Sequence, residues 1–175
     1  METAVGGAGV ASASSAVEFP SGLWTLYFHD PEDTSYLMSS YSVIAVIDSW
    51  EKLWDTIETI GDDKFLSGMY FLMKDPYVPL WEDSKNKKGG VYQIKVTLEK
   101  AREGFETYCA AAILGLIGTD SKNIIKGVSI SSKQKHNIIK IWNSEAVKYN
   151  KGSDIKVLSS ITGDIIYQPF IQKKW

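Results

Sequence analysis

The sequence predicts an α+β domain in which a mainly antiparallel sheet carries helices on one face and leaves the other face open. Three observations lead there. Short apolar and aromatic runs recur between Pro, Gly and Asp punctuation. Helical spacing is confined to three segments. The resulting order is strands, helix, strands, helix, hairpin, helix, strand. It lacks the regular strand–helix alternation of a parallel sheet. With 175 residues, the chain is long enough for one domain with a sizeable core.

Residues 1–17 are mostly Gly, Ala, Ser and Val with Glu2 as the one charged side chain, and read as a disordered tail ahead of a single domain over 18–175. Pro20 and Gly22 mark the start of that domain. Leu23–Phe28 is rich in aromatic residues and predicts a strand, broken by Asp30-Pro31. Tyr41–Val46 predicts a second strand. Asp48 with Glu51 three residues later has the form of a capping box, and Leu53, Trp54, Ile57 and Ile60 follow helical spacing up to Gly61-Asp62-Asp63. Met69–Met73 and Val91–Val96 predict two further strands. Residues 99–117 predict the longest helix, with Ala101, Phe105, Tyr108, Ala112 and Leu116 on one stripe and Gly118 as the stop. Val128–Ser132 and Ile138–Trp142 flank a polar turn and predict a hairpin. Ser153-Asp154 predicts the cap of a short helix through Ile161, and Ile165–Gln168 the last strand.

Composition narrows the function. The net charge of −2 offers no global field for long nucleic acid, so any such role needs a local site. One cysteine, Cys109, leaves no internal disulfide to form and suggests a reducing compartment. Only His29 and His136 are available as imidazole ligands, which argues against a zinc cluster. No apolar run reaches the roughly 18 residues of a membrane span. The expectation is a cytoplasmic or nuclear protein with no cofactor and no metal. Six tryptophans stand at 24, 50, 54, 81, 142 and 175. Core packing is the ordinary use of each. Trp81 differs, because its neighbours are polar and glycine-rich.

That neighbourhood is Trp81-Glu82-Asp83-Ser84-Lys85-Asn86-Lys87-Lys88-Gly89-Gly90. An indole face can stack on a planar, electron-poor ring, and a carboxylate beside it can accept two N–H bonds from one ring edge. A positively charged purine such as N7-methylguanine offers both surfaces. The stretch resembles the cap-binding loop of the eukaryotic translation initiation factor 4E family. Three more segments are similar to that family in order. Leu23–Phe28 resembles its opening strand, Trp50-Glu51-Lys52-Leu53-Trp54 its first helix, and Lys140-Ile141-Trp142-Asn143-Ser144-Glu145 its Ile-x-Ile-Trp-x-x-Glu segment. The resemblance covers roughly 19–170.

The resemblance implies a curved sheet with helices on its convex face and a cap site on the concave side. Trp81 would form one wall of a sandwich around the methylated base and Glu82 would pair with the base edge. The family commonly places a Trp in the loop after the first strand; here Tyr36 is the candidate for the second wall. Trp142 matches the Trp beside the N7-methyl group, and is equally readable as core. Lys133 and Lys135 fall where the family holds the cap phosphates, and are also readable as a solvated turn. Val91 and Ile138 stand where basic residues are common, and with the chain ending at Trp175 most of the family's C-terminal loop is missing. Lys87, Lys88, Lys173 and Lys174 are candidate replacements. On the helical face, the resemblance implies docking of a scaffold or repressor peptide on Trp54, with Trp50, Pro20, Ala110 and Leu114 around it. Ala111 replaces the family's acidic residue there, which points to a different partner set.

Three other readings compete. Enzyme activity lacks support, since no Gly-rich phosphate loop is present and neither histidine has an evident catalytic partner. A general single-strand RNA binder needs an extended basic, aromatic groove that this charge balance does not advertise. An interaction module that kept the fold and lost the cap site is favoured by the thinned basic set and opposed by the Trp81-Glu82 pair. The preferred expectation is a monomer that binds the mRNA cap without chemistry and recruits an initiation-factor 4G-like scaffold or repressor peptide.

Overall fold

A computed structural model describes residues 17–171, so the predicted tail over 1–16 and the lysines at 173 and 174 lie outside the described residues. Seven strands form one sheet: β1 (Trp24–His29), β2 (Tyr41–Ile47), β3 (Met69–Lys74), β4 (Gly90–Val96), β5 (Ile125–Ser132), β6 (Asn137–Asn143) and β7 (Ile166–Pro169). Their spatial order is β2-β1-β3-β5-β6-β4-β7, and every pairing is antiparallel. Three helices, α1 (Trp50–Ile60), α2 (Asp62–Ser67) and α3 (Ala101–Ile113), complete the fold.

The period-two alternation of the strands separates two apolar clusters. Leu26, Tyr70, Leu72, Tyr92, Ile94, Val128, Ile139 and Ile141 pack with Leu53 and Ile57 of α1, Phe65 of α2 and Phe105 and Tyr108 of α3. The alternate residues of the same strands, Tyr27, Phe71, Met73, Val91 and Trp142, form a smaller cluster on the opposite face. That second cluster is the floor on which a site is built.

Four local expectations change. Ser49, not Asp48, caps α1: its hydroxyl accepts the Lys52 N–H at 3.1 Å, and its extended backbone (φ −152°, ψ 160°) suits the cap position. Gly61-Asp62-Asp63 ends α1 but also opens α2, whose Phe65 is buried against Tyr70 and Phe105. The long helix covers Ala101–Ile113 rather than 99–117, with a 3-10 turn at Leu98–Lys100 before it. Gly115 (φ +68°), not Gly118, turns the chain out. The Leu116 N–H then bonds the Ala111 carbonyl at 2.8 Å and the Gly115 N–H bonds that of Ala112 at 3.1 Å, a Schellman ending that leaves Leu116 exposed.

The predicted helix over 153–161 does not form. A 3-10 turn at Gly152–Asp154 is followed by irregular chain whose backbone groups are claimed elsewhere. Ile155 bridges to Gly118, the Lys156 N–H bonds the Ile117 carbonyl at 2.8 Å and the Thr162 N–H bonds that of Lys95 at 2.7 Å. These partners hold the segment extended against α3 and β4, so helical bonding is outcompeted.

Candidate functional site

The loop from Trp81 to Gly89 is held from below. Asn86 is buried, and its amide donates to the carbonyls of Val78 (2.7 Å) and Leu80 (2.8 Å). Turn bonds from Asn86 and Lys87 to the Asp83 carbonyl, at 2.8 and 3.0 Å, close the loop on itself. Lys126 of β5 is buried beneath it. Its ammonium donates to the Lys85 carbonyl and lies 4.7 Å from the Tyr77 ring centre. Burial pushes the Lys126 pKa down, with partial compensation from Asp83. A Cβ on Gly89 would collide with the Asn143 carbonyl, and one on Gly90 with the Gln168 carbonyl and the Tyr167 hydroxyl. The paired glycines therefore serve close packing at the start of β4.

Asn143 fixes that junction. Its side-chain oxygen accepts from the Gly90 N–H (3.1 Å) and the Tyr167 hydroxyl (2.8 Å), and its amide donates to the Tyr149 carbonyl (3.0 Å). Tyr92 donates to the same carbonyl at 3.0 Å, and Asn123 donates to the Tyr92 hydroxyl at 3.1 Å. The result is a buried, satisfied polar network behind the loop.

Tyr36, the candidate for the second wall, lies in the chain after β1. Asp30 and Asp33 side chains accept the Glu32 and Ser35 N–H groups at 2.9 and 2.8 Å, ordering the turn. Tyr36 lies flat on His29, with ring centres 4.7 Å apart and planes within 2°. His29 is fully buried and its Nε2–H donates to the Ser35 carbonyl at 2.7 Å. One face of Tyr36 is thus occupied, and the ring remains 48% exposed.

Tyr36, Trp81 and Trp142 line one cleft of about 590 Å³ on the helix-free face. Trp81 is 50% exposed, so much of its indole is open to the cleft and to solvent. Trp142 is only 5% exposed, and its indole N–H donates to the Ser129 hydroxyl at 3.0 Å. Trp142 packs against Phe71 and Phe170, as a core residue does, and it also contributes to the lining of the cleft. Glu82 is exposed beside Trp81. Its charge reaches Tyr41, whose phenol pKa is pushed up to about 12 by burial first, then by Tyr36 and Glu82.

Lys133 and Lys135 are not in this cleft. They flank the tip of the β5–β6 hairpin and line a separate depression with Lys95, Gln134, His136 and Ile138. Tyr41, Lys140 and Phe170 do line the cleft and were missed in the sequence. The signal for Lys140 was available: it stands two residues before Trp142 on one strand and therefore shares its face.

On the helical side, Trp50 and Trp54 stack with ring centres 6.3 Å apart and planes at 14°. Trp50 is half-buried; its indole N–H donates to the Val17 carbonyl at 2.8 Å, and Phe19 packs edge-on against its ring at 5.0 Å. Trp54 is 40% exposed and Pro20 is exposed. Ala110 and Leu114 are half-buried at the end of α3, while Ala111 is buried.

The family described as Eukaryotic initiation factor 4E matches this chain over residues 21–166. The chain belongs to the eukaryotic initiation factor 4E family. Among relatives of the 4E family, the initiation factor 4E of Bos taurus and that of Homo sapiens are each 28% identical over 127 residues, 70% of this chain. The chain spans 58% of the length of each. Among solved structures, Caenorhabditis elegans initiation factor 4E-3, in complex with the 4E-binding protein Mextli and a cap analogue, superposes with a TM-score of 0.64 at 19% identity, over 73% of this chain and 74% of that one. Ascaris suum initiation factor 4E-3 in complex with the m7G cap gives 0.59 at 23% identity, over 73% of each chain. The fold is therefore the 4E fold, in a member of divergent sequence.

Proposed function

We propose that the chain binds the N7-methylguanosine cap of mRNA and recruits a scaffold or regulatory peptide in translation initiation, without catalysing a reaction. One observation carries the reading. Two half-exposed aromatic rings, Tyr36 and Trp81, line one cleft with an exposed carboxylate, Glu82, next to the second ring. A cationic methylated base between the rings gains charge–quadrupole attraction of about 0.5–2 kcal/mol over its neutral counterpart. Glu82 accepts the N1–H and 2-amino protons, Trp142 closes the space beside the methyl group, and Lys133 and Lys135 face the outer phosphates. The Trp50/Trp54 stack, with Pro20, Ala110 and Leu114, receives the partner peptide. The names of the Ascaris and Caenorhabditis structures, with cap and with a 4E-binding protein, support both halves. The place of action is the cytoplasm, where capped mRNA is translated.

The test is tryptophan fluorescence titration with N7-methyl-GTP and with GTP, on wild type and Trp81→Ala. Saturable quenching by the methylated ligand alone, lost in the variant, is expected. Equal weak responses in both proteins would leave the second reading, a partner-binding module with a lost cap site. That reading draws on Val91 in the cleft and on the placement of Lys133 and Lys135 outside it.

A further inference from the structure

We propose that Lys140 is the first phosphate anchor of the cleft, and that Lys133 and Lys95 continue from it toward the hairpin tip. The proposal rests on the cap-binding reading and assigns the phosphate path within it. Lys140 lies mid-strand in β6, between Gln93 of β4 and Ser129 of β5. Its side chain shares the cleft lining with Trp142, Val91, Tyr36 and Trp81. It is therefore a cation on the floor of an otherwise largely aromatic space.

Two observations say that this cation awaits an anion. No carboxylate among the described residues pairs with it: the ion pairs there all involve Lys100, Arg102 or Lys148. It is also half-buried, and its pKa is lowered by desolvation and then by the nearby Lys133 ammonium. An unpaired, partly desolvated ammonium beside a like charge is a standing cost to the fold. A phosphate placed between Lys140 and Lys133 reverses both terms.

Strand periodicity extends the path. Val91, Gln93 and Lys95 alternate along β4 on the cleft face, and Lys95 pairs in register with Ile138. Lys95 and Lys133 then line the same depression at the hairpin. Cations thus run from the cleft floor outward, displaced by two residues along β6 from Ile138 and by four along β4 from Val91. These are the two positions where the basic residues expected from the family resemblance are apolar. Lys140 and Lys95 supply charge from neighbouring sites on the same face.

The experiment compares N7-methylguanosine with its 5′-mono-, di- and triphosphates by fluorescence titration, on wild type, Lys140→Met and Lys140→Arg. Wild type should bind the phosphorylated ligands more tightly than the nucleoside. Lys140→Met should lose about ten-fold of the phosphate gain, read as the ratio of triphosphate to nucleoside affinity within each protein, and lower the salt slope of triphosphate binding by about one. Lys140→Arg should restore most of the gain. If Lys140→Met binds the nucleoside and retains the full phosphate gain, the anchor lies elsewhere and cap binding still stands. If wild type does not bind the nucleoside or the triphosphate, the cap reading itself fails and this proposal falls with it.

Discussion

Asn143 does more for the site than its place at the end of a strand suggests. It links the Gly90 backbone, Tyr167 and Tyr149 in a buried network, and it packs where the paired glycines have no side chain. Removing its amide strands several buried groups, so Asn143→Ala should cost about 1–3 kcal/mol in urea unfolding. The same variant should weaken N7-methyl-GTP binding, because Gly89-Gly90 ends the Trp81 loop. Asn143 was legible only as part of a family-like segment. Its role depends chiefly on Gly90, 53 positions away, and Tyr167, 24 positions away, and a single sequence does not display such pairings. Trp81 and Glu82 were legible as candidates because an aromatic ring and a carboxylate are adjacent in a polar, glycine-rich stretch. Tyr36 was legible as a loop aromatic, but its buried support by His29 was not.

At the scale of elements, the strands were read well and the helix ends less so. Strand faces follow from a period of two, and the hairpin turn at 132–137 is where its polar run places it. Helix ends depend on which of several competent residues takes the cap. Asp48 and Ser49 can both cap α1, and the backbone geometry selects Ser49. Ser49→Ala should therefore lower stability by about 1 kcal/mol, whereas Asp48→Ala should leave the thermal midpoint nearly unchanged. Equal losses from both would overturn the assignment. The extended 155–162 segment was misread because local capping signals lost to long-range backbone partners on α3's exit and β4.

At the scale of the whole molecule, the buried phenols make the fold sensitive to alkali. Tyr41 and Tyr92 have pKa values pushed up to about 12, chiefly by burial, and Tyr70, Tyr108 and Tyr167 are raised in the same sense. An unfolded chain releases phenol protons near 10. Between about pH 10 and 12 the folded chain therefore holds more protons than the unfolded one, and stability falls as pH rises. Lys126 and Lys140 oppose this, since their lowered values favour the fold as pH approaches the ordinary lysine range. The phenols are more numerous, so the net slope above pH 10 should be negative. Urea midpoints measured across that range, alongside phenolate absorbance, would test it; a flat or rising midpoint would contradict the burial of these hydroxyls.

The sequence alone determined the fold class, the strand positions, the polar loop in which Trp81 and Glu82 adjoin and the tryptophan pair on α1. Each of these is written in neighbouring residues or in a short period. The tertiary structure decided which cations belong to the cleft, which residues hold the loop from behind and how the 155–162 segment runs. Those outcomes depend on contacts between strands distant in sequence. Sheet order brings Lys140 into the same cleft as Trp81 and leaves Lys133 and Lys135 at a separate depression by the hairpin tip, and strand order is a balance over the whole core that local patterns do not encode.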